Sequence, residues 1–237
     1  MSLFIKRIHA AVREAQRTRH GTSTARHPHE TGLAKEYPRM PRIALPPPLA
    51  LDNSLSRTIR ERRSFDTYVH RGFSIQELGT LLGVALGATE KTYRAYPSAG
   101  ALFPIETYFV GDIFMPRSLD VYHYHAPSHS LEHLWEAPED MTIANIVNQK
   151  TTPSSPALLI FTAVWDRSSV KYGDLSYAHG LIEAGHMAQN ILLTATAMKM
   201  PVRPVAGFRD EAVTNLLDLG DDEQPVYAVA LCGTEKI

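Results

Sequence analysis

The feature that most limits the possible folds is an apolar run of strand length at residues 156–165, PALLIFTAVW. A run of this length and composition is typical of a central strand that is buried on both faces of a sheet. Residues 176–198 then show a long helical pattern that is apolar nearly all round, as in a core helix. The chain therefore needs a packed interior with a sheet at its centre.

Local signals predict further elements along the chain. The helices are expected at residues 2–16, at 54–63 with Ser54 as cap, after a capping box of Ser74 and Glu77, near 140–149, and at 210–217. Strands are expected at 106–110, 120–124, 131–134, 202–205 and 225–231, with a hairpin turn at 126–128. Helices and strands alternate irregularly and no repeat is found, which favours an α+β sandwich over a doubly wound fold.

The first 50 residues differ from the rest. Residues 17–42 contain His20, His27 and His29 but few side chains that could pack, and a proline-stiffened segment follows at 46–48. We therefore expect an N-terminal helix and extended arm over 1–50 and a compact domain over 51–237. The arm would lie across a neighbouring subunit or be partly disordered, with its histidines solvated rather than catalytic.

Composition excludes several classes of protein. The 237 residues include 24 basic and 25 acidic side chains, and a net charge of -1 gives no broad attraction to nucleic acid or acidic membranes. One cysteine, Cys232, cannot form a disulfide framework or a CxxC site. No apolar run approaches the length of a spanning helix, and Lys6 and Arg7 interrupt the first apolar stretch. We expect a cytoplasmic protein.

Common catalytic and nucleotide-binding motifs are missing. The sequence has no GxGxxG after a strand, no P-loop, no HExxH and no GxSxG elbow. His123, His125, His129 and His133 cluster around the predicted hairpin, but no carboxylate or thiolate spacing completes a metal shell. Strand alternation is expected to place His123 and His125 on the solvent face. We predict no metal site.

Three segments have residues suited to a ligand. Arg62, Arg63 and Ser64 end a helix, where guanidinium groups can bind phosphate or carbonyl oxygens, although paired arginines usually lie on a solvated face. Residues 97–104, PSAGALFP, form a small-residue loop whose N–H groups a flat ligand could approach, or an ordinary turn. Lys171 and Tyr172 precede a helix that carries polar side chains on an apolar background. Those side chains either bond to neighbouring strands or support a bound heterocycle; they are Glu183, His186, Gln189 and Asn190.

These segments carry a family resemblance. The stretches ERRSFDTY, YPSAGALFPIETYFV, VKYGDLSYAHGLIEAGHMAQNILLTATAMKM and PVRPVAGF resemble, in this order, the nitroreductase-like flavoprotein superfamily. Within it the chain is most similar to azoline dehydrogenases of the SagB/thiazole-oxidase type, over residues 51–233.

The resemblance implies an α+β sandwich with a mainly antiparallel central sheet flanked by helices, and an intimate homodimer with FMN at its interface. Arg62, Arg63 and Ser64 would contact the ribityl-phosphate and the pyrimidine edge. Further FMN contacts would come from Pro97, Ser98 and Gly100 of the partner chain, from Gln189, from Ala206 and Gly207 beside the reactive face, and from Lys236.

The resemblance also implies the chemistry. Lys171 and Tyr172 match the catalytic pair that oxidises a thiazoline or oxazoline in a peptide to the azole, with hydride transfer to flavin N5 and reoxidation by oxygen. Either Tyr172, activated by the neighbouring ammonium, or Lys171 would be the base. Leu175 and Ala178 replace arginines that family members often carry, and separate partner proteins would be needed for a ribosomal peptide. The alternatives are an NAD(P)H-dependent nitro or quinone reductase and a non-catalytic flavin-binding scaffold subunit.

Overall fold

The computed structural model describes residues 3–17, 34–68, 72–90, 93–113, 119–148 and 154–234. Its main feature is a seven-stranded sheet in the order β1-β6-β5-β4-β7-β9-β8, in which every neighbouring pair is antiparallel. A separate hairpin consists of β2 and β3. The strands are β1 Arg42–Ala44, β2 Ala88–Glu90, β3 Tyr93–Arg94, β4 Ile105–Gly111, β5 Asp120–His125, β6 Ser130–Glu136, β7 Ala157–Val164, β8 Val202–Val205 and β9 Glu223–Leu231.

Two helices, α2 and α3, begin where the capping signals predict, whereas α5 was not predicted. Ser54 accepts a hydrogen bond from the Arg57 amide at the start of α2, and Ser74 and Glu77 form the predicted capping box of α3. The predicted helix at 140–149 is reduced to one turn. The helices are α1 Leu3–Arg17, α2 Leu55–Glu61, α3 Ile75–Leu86, α4 Ile143–Ile146, α5 Asp166–Tyr172, α6 Leu175–Ala197 and α7 Asp210–Leu217.

The sheet separates two hydrophobic cores. Leu159 and Phe161 of β7 face a core built with α3 and α6, whereas Leu158 and Ile160 face a core built with α4 and α7. The strand is buried along nearly its whole length, as its apolar sequence predicts. The predicted α+β fold with a central antiparallel sheet flanked by helices is therefore confirmed. None of the helices in the described ranges is long and apolar enough to cross a membrane.

Part of the predicted arm packs on the sheet. β1 pairs with β6 at the edge, the Lys35 Nζ lies 2.7 Å from a carboxylate oxygen of Glu223, and the Tyr37 hydroxyl lies 3.0 Å from the Tyr108 hydroxyl. The prediction that 17–42 has little to pack is therefore wrong for the described residues 34–42. His20, His27 and His29 lie outside the described residues.

The hairpin histidines are also placed differently from the prediction. His123 and His125 are buried, at 0% and 5% exposed, rather than on a solvent face. The His123 ring bonds at both nitrogens to carboxylates, 2.9 Å from Glu106 and 2.8 Å from Glu132. The arm covers this face of the sheet, so alternation along β5 does not lead to solvent. Among the described residues no group of three or more His, Cys, Asp or Glu could hold a metal ion.

Candidate active site

The small-residue loop has an unusual backbone. Gly100, Ala101 and Phe103 all have left-handed φ angles, of 64°, 54° and 47°. The Ser98 hydroxyl accepts a hydrogen bond from the Phe103 amide at 2.9 Å and donates one to Glu183 Oε2 at 2.5 Å. Pro97 and Gly100 are exposed. The segment is thus a strained, side-chain-braced loop rather than an ordinary turn.

The predicted catalytic pair lies against this loop. Lys171 and Tyr172 end α5, which Gly173 stops with a left-handed φ of 54°. A Cβ atom built on Gly100 would lie 2.6 Å from Tyr172 Oη and 2.8 Å from Lys171 Nζ. Both polar ends therefore meet at one exposed glycine, although 71 residues separate Gly100 from Lys171 in the sequence. Lys171 and Tyr172 do not lie on a surface loop, because both are on a helix and are half-buried.

Tyr172 packs between two side chains. Lys171 Nζ lies 5.4 Å from the centre of its ring, and the His179 ring meets it edge-on at 4.8 Å. The buried His179 Nδ1 has no hydrogen-bond partner within the described part of the chain. Sequence reasoning did not select His179, although it stands within the GDLSYAH stretch of the family resemblance. Of the two residues expected from the resemblance to replace arginines, Leu175 is buried and Ala178 is partly buried.

Arg167 joins α5 to the loop and was also missed. Its Nη1 donates to the Phe103 carbonyl at 3.0 Å, and its Nη2 forms an ion pair with Glu106. Burial acts to raise the pKa of Glu106, but hydrogen bonding to His123 and the Arg167 charge outweigh it and lower the pKa to about 2. The α5 helix is thereby fixed to β4 and to the loop by a buried ionised carboxylate.

Several other predicted FMN contacts lie around β8. The Phe65 amide donates to the Val202 carbonyl at 3.2 Å, which places the turn of Arg62, Arg63 and Ser64 beside the start of this edge strand. Arg63 Nη1 donates to two backbone carbonyls at the end of α2. Ala206 and Gly207 follow the far end of β8. Lys236 lies outside the described residues.

The α6 helix has one buried and one exposed face. Glu183 is 2% exposed, and Asn190 donates to the carbonyls of Ala85 and Ala95. The prediction of a helix enclosed on all sides is wrong for this chain by itself, since a stripe at helical spacing is exposed. It consists of Ile182, Gly185, His186 and Gln189.

Comparison with known proteins gives a consistent answer. A sequence profile of the nitroreductase family matches residues 59–234. A Methanocaldococcus jannaschii protein that carries a nitroreductase name, MJ1384, is 30% identical over 169 residues, which are 70% of this chain and 84% of that protein. The Escherichia coli microcin B17-processing protein McbC is 26% identical over 132 residues, which are 53% of this chain and only 48% of McbC.

Solved structures share the fold. A Ralstonia eutropha structure described as a nitroreductase superposes with a TM-score of 0.68 at 20% identity, over 83% of this chain and 90% of that one. A chain of the Escherichia coli microcin synthetase McbBCD complex, with truncated pro-MccB17 bound, superposes with a TM-score of 0.66 at 22% identity, over 98% and 92%. The profile match covers well over half of the sequence, and on this ground the chain belongs to the nitroreductase family.

Proposed function

We propose that this protein is an FMN-dependent oxidoreductase that dehydrogenates a thiazoline or oxazoline ring to the azole in peptide natural-product biosynthesis. The observation that carries the proposal is the convergence of Lys171 Nζ and Tyr172 Oη on Gly100. The similarity to McbC, named as a microcin-processing protein, supports a peptide-borne substrate. The McbBCD complex with its bound pro-peptide supports separate partner proteins.

The residues present fit a flat, anionic cofactor. Because Gly100 has no Cβ, the polar ends of Lys171 and Tyr172 can lie against its exposed backbone, where a bound ring could meet them. Gly185 and Gln189 offer an open position and an amide on the exposed face of α6. Arg62 and Arg63 supply positive charge for a phosphate. Bound FMN would supply the two-electron acceptor, which takes hydride from the substrate ring and is reoxidised by dioxygen.

A second copy of the chain would complete the site. The predicted FMN contacts form two groups. The Gly100 group consists of Pro97, Ser98 and Gly100, and the β8 group consists of Arg62, Arg63, Ser64, Ala206 and Gly207. A dimer would bring one group from each subunit together. Exposed apolar side chains on the three neighbouring helices α2, α5 and α6 support this arrangement, since they need a cover. They are Leu55, Ile59, Val170, Tyr177, Leu181 and Ile182.

The chain's own part in the reaction is to orient the ring and take the proton. Dehydrogenation to the azole removes two hydrogens, one as hydride to the cofactor and one as a proton to a base. Lys171 and Tyr172 are the base candidates, because their polar ends share one exposed position. The His179 ring, which meets the Tyr172 ring edge-on, limits the directions in which the phenol can point.

The similarity to MJ1384, which carries a nitroreductase name, supports a second candidate function. This is an NAD(P)H-dependent reductase of nitro compounds or quinones. The two functions use the same cofactor in opposite directions. Rapid bleaching of the flavin by NAD(P)H would favour the reductase, whereas slow bleaching with oxygen-dependent azoline turnover would favour the dehydrogenase.

The first test is the visible spectrum of the purified protein, with chromatography of the heat-released chromophore. We expect about one FMN per chain. When the protein is diluted and light scattering is used to follow its mass, FMN should be lost as the dimer dissociates. Lys171→Ala and Tyr172→Phe should keep FMN but abolish azoline oxidation. If both variants still support normal formation of the azole product, only the scaffold role remains. A colourless protein that takes up no FMN would refute the proposal.

A further inference from the structure

The loop that faces the catalytic pair is held in a conformation it would not adopt alone. Ala101 and Phe103 carry side chains yet have φ angles of 54° and 47°, a region that such residues rarely occupy. Two contacts brace the loop at Phe103: its amide donates to the Ser98 hydroxyl and its carbonyl accepts from Arg167. The Ser98 hydroxyl has one proton to donate, and it donates it to Glu183.

We propose that Glu183 is a positioning residue, which through Ser98 holds the loop of residues 98–103, with its three left-handed φ angles, in the conformation that brings Gly100 against Lys171 and Tyr172. This inference rests on the proposed function for its catalytic consequence. Its structural part, the bracing of the loop by a buried carboxyl group, concerns contacts within one chain and is measurable without substrate.

The surroundings of Glu183 support this role. It is 2% exposed, its Oε2 accepts from the Ser98 hydroxyl at 2.5 Å, and the Ile105 amide is a second hydrogen-bonding group beside it. A buried carboxyl group depends on its few donors, because an acceptor that loses its donor there has no water to replace it.

The charge on Glu183 changes near neutral pH. Burial raises its pKa to about 7, against the lowering effects of hydrogen bonds from the Ser98 hydroxyl and the Ile105 amide and of the Arg167 and Arg94 charges. Arg94 approaches from β3, Arg167 from α5, and the phenol of Tyr96 from the residues before the loop.

Ionisation therefore sets how firmly the loop is held. A carboxylate accepts a charge-assisted bond from Ser98, which is about twice as strong as the bond to a neutral carboxyl group. The ionised form above pH 7 should hold Ser98 and hence the Phe103 amide more firmly than the protonated form below it. Turnover should rise through pH 7 in step with this bracing.

Hydrogen exchange at the Phe103 amide tests the structural part in the FMN-loaded full-length protein. In the wild type the protection factor should rise on the order of tenfold as the pH passes through 7. Glu183→Gln, which can still accept from Ser98 but does not ionise, should stay at the low value throughout. Glu211→Gln, the same change on an exposed residue of α7, should behave as the wild type.

Kinetics then test the consequence. In Glu183→Gln the step in kcat near pH 7 should disappear, with KM changed less than kcat. Ser98→Ala removes the acceptor of the Phe103 amide and should also lower its protection from hydrogen exchange. The double variant Ser98→Ala/Glu183→Gln should lose no more protection than Ser98→Ala alone. This serine variant also keeps the test decisive if Glu183→Gln fails to fold.

The outcomes separate the two proposals. An unchanged protection factor in both single variants, or a kcat step that survives Glu183→Gln, would overturn the positioning role. If azoline oxidation is absent from the wild type while the exchange data follow expectation, the proposed function fails and the bracing of the loop stands.

Discussion

Gly100→Ala is the smallest change that separates the geometry of the proposed site from the stability of the fold. The added Cβ would lie 2.6 Å from Tyr172 Oη and 2.8 Å from Lys171 Nζ. Both atoms are the ends of long side chains, so they move aside more easily than backbone would. To regain ordinary contact the Tyr172 hydroxyl must shift by ~0.8 Å.

The magnitudes differ for activity and stability. A misplacement of about 1 Å in a catalytic group costs on the order of 100-fold in rate, so kcat for azoline oxidation should fall by about that factor. The left-handed φ of 64° adds backbone strain of about 1–2 kcal/mol for alanine. The free energy of unfolding should fall by that amount, which most domains tolerate.

Gly173→Ala is the matched control. Gly173 also has a left-handed φ, of 54°, but a Cβ there meets nothing within 4 Å. This variant should lose about 1–3 kcal/mol of stability in urea unfolding and yet keep far more activity than Gly100→Ala. Equal kcat in Gly100→Ala and the wild type, with both folded and loaded with FMN, would refute the placement of the catalytic pair.

Further predictions concern the buried charges. His123→Leu should cost about 3–5 kcal/mol in urea unfolding, because it removes the imidazole from two buried carboxylates, whereas Glu61→Gln in the exposed pair with Arg57 should cost no more than about 0.5 kcal/mol. Despite burial, which raises them, hydrogen bonds to His123 help lower the pKa values of Glu106 and Glu132 to about 2 from 4.5. The stability they contribute is therefore complete above pH 4.5 and is lost as the pH falls towards 2, and this loss in acid unfolding curves should be smaller in His123→Leu. Arg167→Met should lower kcat more than it lowers FMN content, because it frees α5 from Phe103 and leaves Arg62, Arg63 and Ser64 untouched. A large loss of FMN with normal kcat per bound FMN would contradict the role of Arg167 in holding α5 against the loop.

Local sequence patterns predicted the elements well where the cause of the structure is local. The strand at 156–165, the capping box of Ser74 and Glu77 and the hairpin around 126–128 follow from side-chain periodicity, capping hydrogen bonds and turn residues close together in the sequence. The family resemblance added the candidate site residues, including the Lys171 and Tyr172 pair.

The solvent exposure of individual side chains could not be predicted from sequence periodicity. Alternation along β5 predicted His123 on a solvent face, but the segment with Lys35 and Tyr37 covers that face and two carboxylates enclose the imidazole. The apolar pattern of α6 predicted enclosure on all sides, yet Ile182 is exposed in the single chain. Burial depends on what packs against an element, and a periodic pattern does not contain that information.

By itself the sequence determined most helices and strands of residues 51–237, the buried central strand and the segments that could bind a ligand, because each depends on residues within a few turns of one another. It did not predict β1, α5 or the hairpin of β2 and β3. Only the tertiary structure brought Gly100 to Lys171 and Tyr172 and placed Glu183 behind Ser98. These contacts join residues 71 to 85 positions apart. Packing of α5 and α6 against the sheet creates them, and no local signal in either segment specifies its distant partner.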